Sequence, residues 1–157
     1  MSREIELILL TLDQAYDRKS WHGSNLKGAV RGLGAGEAAG RPGPGRPSIH
    51  ELVVHLAYWK YAVLRQLADL PRGAFPLKGS NWFPRGDADA TQWKADLALL
   101  DRMHRDLRAA VAALDPTDLD RPSAKAQYRI RDLILGTAAH DLHHGGQIQL
   151  IKRLSRE

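Results

Sequence analysis

Residues 130–154 read IRDLILGTAAHDLHHGGQIQLIKRL, and their periodicity decides the fold class. Leu133, Thr137, His140, His144, Gln147, Ile151 and Leu154 follow alternating steps of four and three, the spacing of an inward seam on a bundled helix. Within it, the run His140-Asp141-Leu142-His143-His144-Gly145-Gly146-Gln147 carries the chemistry. His140 and His144 stand one turn apart on one face, with Cβ atoms about 5–6 Å from each other. Two imidazoles at that spacing can reach one metal ion. Without an ion, ring nitrogens on a core-facing stripe need other partners, because burying them unpaired is costly. A third ligand has to come from another helix.

Working outward, three further segments show the helical period. Residues 3–19 place Ile5, Leu9, Leu12 and Tyr16 on one face, Trp21-His22-Gly23 interrupts them, and 25–33 adds a shorter helical piece. From Gly32 to Pro47 there are six glycines and three prolines, which predicts a long loop without regular structure. Ser48-Ile49-His50-Glu51 fits a capping box, and Pro47 and Pro71 bracket a second long helix to about 48–70. Its inner stripe runs Leu52, His55, Trp59, Ala62, Gln66, flanked by Leu56 and Val63, so a histidine again lies among apolar positions. Residues 75–85, FPLKGSNWFPR, are apolar but broken by proline and glycine, and predict a structured loop that lays Phe75, Trp82 and Phe83 on the bundle. The third long helix covers 89–114 with the stripe Trp93, Leu97, Leu100, His104, Leu107, Val111, Leu114, and Asp115-Pro116 ends it. No segment alternates with period two, so no strand is expected. The prediction is an all-α, four-helix bundle in a single domain over residues 1–157.

A chain of 157 residues is long enough to bury a core, and 43% hydrophobic with 26% charged residues is ordinary for a soluble domain. There is no cysteine, which excludes disulfides and an internal thiol nucleophile and leaves histidine and carboxylate as metal ligands. No apolar run approaches the roughly 18 residues of a membrane span, and Glu4, Glu6 and Asp13 punctuate the start. No membrane partner and a cytoplasmic location are therefore expected. The formal charge is +5. Six basic residues (Arg18, Lys19, Lys27, Arg31, Arg41, Arg46) face one acid, Glu37, between Arg18 and Pro47, which accounts for the whole excess. It sits largely in a Gly/Pro-rich connection and not on one helical face, so nucleic acid is not the expected partner.

Side chains from facing helices build sites in bundle cores. His55, His140 and His144 would give three neutral imidazoles, a set that suits zinc, nickel, iron or copper and leaves a coordination position open. The competing reading is three hydrogen-bonded core histidines. His143 is rotated about 100° from His144 and points outward, and His50, about 140° around its helix from His55, points elsewhere. His104 faces the cavity or is a hydrogen-bonded core residue, and His22 lies at the site mouth or on the surface. Glu51 can act as a base, although capping already explains it. Gln147 can orient a ligand or bond a neighbouring helix, and Asp141 can pair with a nearby histidine or with solvent. Trp59, one turn past His55, forms a cavity wall or fills the core as an aromatic. Gly136, Gly145 and Gly146 each cost about 1 kcal/mol relative to alanine in a helix, which suggests close approach of another backbone.

His140-x3-His144-Gly-Gly-Gln147-Ile148 resembles the His-x3-His-x-Gly-Gln-Ile/Leu signature of the DinB-like (YfiT-like) family of four-helix metal-binding proteins. Ser48-Ile49-x-Glu51-Leu52-Val53-x-His55 is similar to the family's helix-two segment, which ends in its first metal ligand, and Trp21-His22-Gly23 and Trp93-x2-Asp96 are similar to one branch. The resemblance implies an up-down-down-up bundle, a homodimer, and His55, His140 and His144 on a divalent transition metal (Zn, Ni or Fe). Some relatives are thiol-dependent transferases or isomerases. That implies a metal-dependent enzyme acting on a small-molecule substrate, with any thiol supplied by a separate small molecule, and hydrolysis as the rival reaction. The alternative is a non-enzymatic, stress-associated bundle with a structural or sensing metal.

Overall fold

Four long helices set the architecture: α1 (Arg3–Tyr16), α4 (Ile49–Ala68), α5 (Ala90–Ala112) and α6 (Ile130–Leu154). Between the first two lie the short helices α2 (Leu26–Val30) and α3 (Ala35–Ala39), and a 3-10 turn, Pro116–Asp120, precedes α6. The structure is a computed structural model and describes residues 1–68, 70–124 and 127–155. Side chains close the open N-terminal turns. The Ser2 hydroxyl accepts from the Ile5 amide, and Asp89 accepts from the amides of Thr91 and Gln92. On α4 the capping box is complete, because the Glu51 amide donates to the Ser48 hydroxyl and the Ser48 amide donates to the Glu51 carboxylate.

Side-chain pairs fix the helix directions. Tyr16 bonds Asp101 and Arg108 bonds Asp13, so α1 and α5 run antiparallel. His50 bonds Asp96 at one level and Lys60 lies near His104 at the next, so α4 and α5 run parallel. His55 meets His140 while Gln66 accepts from the Ala124 amide just before α6, so α4 and α6 run antiparallel. The bundle is therefore up-down-down-up, with α1 and α4 each packed against both α5 and α6. This order makes α4 and α6 neighbours, which the site requires.

Two apolar clusters fill the bundle. One gathers Leu26, Leu52, Leu56, Trp93, Leu100 and Ile148, and the other Ile5, Leu12, Leu64, Leu107, Ile130 and Ile134. Where α4 passes from the first to the second, Lys60 is 0% exposed. Its Nζ lies 2.5 Å from Oδ2 of Asp141, also 0% exposed, and 5.0 Å from the centroid of the Tyr16 ring. Burial pushes the Asp141 carboxyl up, and Lys60 pulls it back. Asp141 is thus a core residue, neither solvated nor paired with a histidine.

Three expectations change. The Gly/Pro-rich stretch contains a regular element, α3, because Ala35 and Ala38 are small enough to bury against α4 and α5. The buried face of α6 keeps Thr137, His144 and Ile151 of the predicted seam but extends to Ile130, Ile134, Ala138, Asp141, Gly145 and Ile148 beside it, while Gln147 and Leu154 are exposed. The histidines stand at the edge of the core, not along its centre. Finally, a Cβ on Gly145 would lie at ordinary contact, 3.9 Å, from Leu26 Cα, and nothing lies within 4 Å of Gly136 or Gly146. Close backbone approach does not explain those glycines.

The buried Lys60–Asp141 pair gives a direct test. Asp141→Ala leaves an ammonium uncompensated in the core and is expected to cost about 3–5 kcal/mol in urea unfolding. Lys60→Met combined with Asp141→Leu is expected to recover most of that loss, because no charge is then left buried. A single variant as stable as the wild type would contradict the burial of the pair.

Candidate metal centre

His55 comes from α4, and His140 and His144 from successive turns of α6. Their Nε2 atoms converge: His55 to His140 is 3.2 Å and His144 to His140 is 3.0 Å. One ring nitrogen from each lies within 4.8 Å of the others, and this is the group of described residues able to hold a metal ion. On two of the rings the opposite nitrogen is committed elsewhere. His55 Nδ1–H donates to the Asn81 carbonyl at 2.9 Å, and His144 Nδ1–H donates to Gln147 Oε1 at 2.7 Å. Each of those rings therefore turns a bare lone pair inward.

Hydrogen bonding alone does not satisfy this arrangement. His140 offers at most one proton at Nε2, yet faces two unprotonated nitrogens. A divalent cation satisfies all three lone pairs. Two nitrogens at about 2.0–2.1 Å from one tetrahedral zinc stand about 3.3 Å apart, close to the observed separations. The donor set fits a metal.

Burial keeps the rings in their ligating form. Desolvation lowers His55 and His144 below the ordinary imidazole value. His140 falls to about 3, first through desolvation and then through the neighbouring His144 and His55. Protons are weak competitors for such a site.

The loop over residues 75–85 covers the triad. Phe75 and Phe83 are buried anchors, while Trp82, 44% exposed, stacks on His55 with centroids 4.0 Å apart. Asn81 sits at φ 64, a left-handed conformation that asparagine tolerates better than most residues. That turn aims its carbonyl at His55 and lets its Oδ1 accept from Trp59 Nε1 at 2.9 Å. Arg85 ends the loop: its Nε donates to Asp96 at 2.7 Å, and Asp96 also accepts from His50 Nε2 at 2.8 Å. Beside the triad opens a cavity of about 600 Å³, bordered by His55, His140, Trp59, Trp82 and Thr137.

The remaining candidates lie outside the triad. Glu51 is held bidentately by Arg41 as well as by its cap, which leaves no base facing the histidines from that position. His50 is buried on Asp96, His143 is exposed, and His22 is exposed next to a fully exposed Trp21. His104 is buried and stacks on Tyr16 at 3.7 Å, but its Nδ1 has no hydrogen-bond partner. It is a core histidine without the expected bond. Sequence reasoning missed Asn81 and Arg85. Asn81 follows Gly79-Ser80, and an asparagine in such a turn is a recognisable signal for positive φ. Arg85 carries no comparable mark.

A helical bundle with three inward imidazoles on facing helices defines the class, one compatible with metal binding. A family model described as the DinB superfamily matches residues 20–148, and the chain belongs to that superfamily. Comparisons with curated proteins and with solved structures found no match.

The buried imidazoles set an acid limit on the metal-free fold. His104, like His140, is lowered to about 3, chiefly by desolvation. Above 6.5 both rings are neutral whether folded or unfolded and contribute no pH dependence. Between 6.5 and about 3 the unfolded chain takes up protons that the fold refuses, so stability falls as pH falls. In chelated protein, His104→Phe is expected to reduce that slope by up to about 1.4 kcal/mol per pH unit. Urea unfolding across this range measures it, and an unchanged slope would show that His104 is not held neutral.

Proposed function

We propose that His55, His140 and His144 bind one divalent transition metal, zinc, nickel or iron, and that the chain is a metal-dependent enzyme acting on a small molecule. The observation that carries the reading is the convergence of three Nε2 lone pairs, two of them fixed by hydrogen bonds on the opposite ring nitrogen. When bound, such a cation supplies Lewis acidity toward water or a thiol. Three protein ligands leave a coordination position for a guest, and the adjoining cavity has room for one.

The chain's own residues have definable tasks. Asn81 and Gln147 hold the Nδ1 protons and so keep the inner nitrogens free for ligation. Trp82, stacked on His55, screens that ring from solvent, and Trp59 walls the cavity. Among the described residues no carboxylate joins the histidine group, so the three imidazoles present a neutral donor set and preserve the full charge of the ion. A thiol nucleophile would have to arrive as a separate small molecule, because the chain has no cysteine. Transfer to such a thiol and hydrolysis are the two reactions the site accommodates. A structural or sensing metal is the competing reading, and the cavity against the triad favours the enzyme.

Elemental analysis of protein purified without added metal tests the site. The wild type is expected to carry about one equivalent, and His55→Ala and His144→Ala are expected to lose it. Gln147→Ala is expected to keep the fold but bind metal about 10–100-fold more weakly. A wild type without stoichiometric metal, matched by its variants, would overturn the reading. Loss of the fold on chelation would instead assign the ion a structural role.

A further inference from the structure

A second, larger cleft of about 980 Å³ adjoins the triad cavity. The two share a wall of Trp59, Ala62, Gln66, Tyr128 and Leu133, so they form neighbouring chambers along one side of α4. The larger chamber differs in charge. Arg65, Arg72 and Lys78 line it, and no acidic side chain does so among the described residues. Around the bundle several cations are matched by acids: Lys27 with Asp101, Arg41 with Glu51, Lys60 with Asp141, Arg85 with Asp96 and Arg108 with Asp13.

The three cleft cations have no such partner among the described residues. Arg65 donates through Nε to the Leu70 carbonyl at a long 3.4 Å, and its guanidinium lies 5.9 Å from the Tyr61 ring centroid. That contact orients the side chain, and its terminal nitrogens have no hydrogen-bond partner among the described residues. The lining is also aromatic: Tyr58, Tyr61 and Phe75 border the larger cleft, and Trp59 and Tyr128 border both it and the triad cavity. Three like charges on the wall of one cleft give it a positive potential, which favours an anionic guest.

We infer that the substrate is an elongated organic anion, with an aromatic or alkyl body along the shared wall and a carboxylate or phosphate end held by Arg65, Arg72 and Lys78. This rests on the metal-centre reading for the location of the reacting end, and not for the binding of the charged end. Guanidinium groups recognise both kinds of oxyanion through paired N–H donors, and the lysine adds a point charge. The aromatic lining selects the body.

The test is calorimetry on the full chain with three probes: phenylbutyrate, phenylpropyl phosphate and the neutral phenylbutyramide. At least one anion is expected to bind about tenfold or more tightly than the amide. Whichever anion binds more tightly names the end group. Arg65→Gln combined with Arg72→Gln and Lys78→Gln is expected to abolish the preference, with melting temperature and metal content unchanged. The preference is expected to persist in His140→Ala and in wild type stripped with a chelator, which separates cleft binding from binding to the ion. Three results overturn the inference: no probe binds, the amide binds as well as both anions, or the preference survives the triple substitution. A wild type that never carries metal yet shows the preference would sink the metal reading and leave the cleft assignment standing.

Discussion

Three imidazole nitrogens meet at separations of 3.0 and 3.2 Å with too few protons to bond one another, and that electrostatic constraint governs the site. Left alone, such lone pairs repel and the rings turn apart. The fold prevents it from two directions. Asn81 and Gln147 hold the outer edges of His55 and His144, while burial keeps the rings neutral. A cation at its centre would satisfy all three nitrogens at once.

The helix order serves that geometry. Because α4 and α6 are antiparallel neighbours, residues on successive turns of α6 face a single position on α4. The buried Lys60–Asp141 pair fixes the register, since Asp141 immediately follows His140 and Lys60 lies little more than one turn beyond His55. A buried ion pair is a costly way to hold two helices together, and its energetic benefit over apolar contacts is small or negative. Its directionality is what an apolar contact lacks. A second linkage runs through the loop that covers the site. His50 and Asp96 hold Arg85, Phe75 and Phe83 anchor the loop in the core, and Asn81 between these anchors holds His55.

Much of this was legible in the sequence, for identifiable reasons. The bounds of α6 and the capping box of α4 depend on local signals, namely apolar period and a Ser-x-x-Glu spacing. The histidines were legible because each stood out on an otherwise apolar stripe, and the Gly-Gly-Gln sequence after His144 carried the family resemblance. What escaped was long-range or masked by composition. Lys60 and Asp141 lie 81 positions apart, and each reads as an ordinary surface charge until the helices are packed. The seam through the α6 histidines is one edge of the buried face, with Thr137, His144 and Ile151 on it, and the adjoining line of Ile130, Ile134, Ala138 and Ile148 carries the apolar core. Glycine-rich surroundings hid α3, whose two buried alanines give little hydrophobic signal.

The central claim is that one ion sits between His55, His140 and His144. Anomalous diffraction from crystals grown without added metal, collected on either side of the absorption edge of the element present, tests it most directly. The expected result is a single peak at about 2.0–2.1 Å from Nε2 of all three rings. A map with no peak, in which water bridges the rings or they have rotated apart, would contradict it.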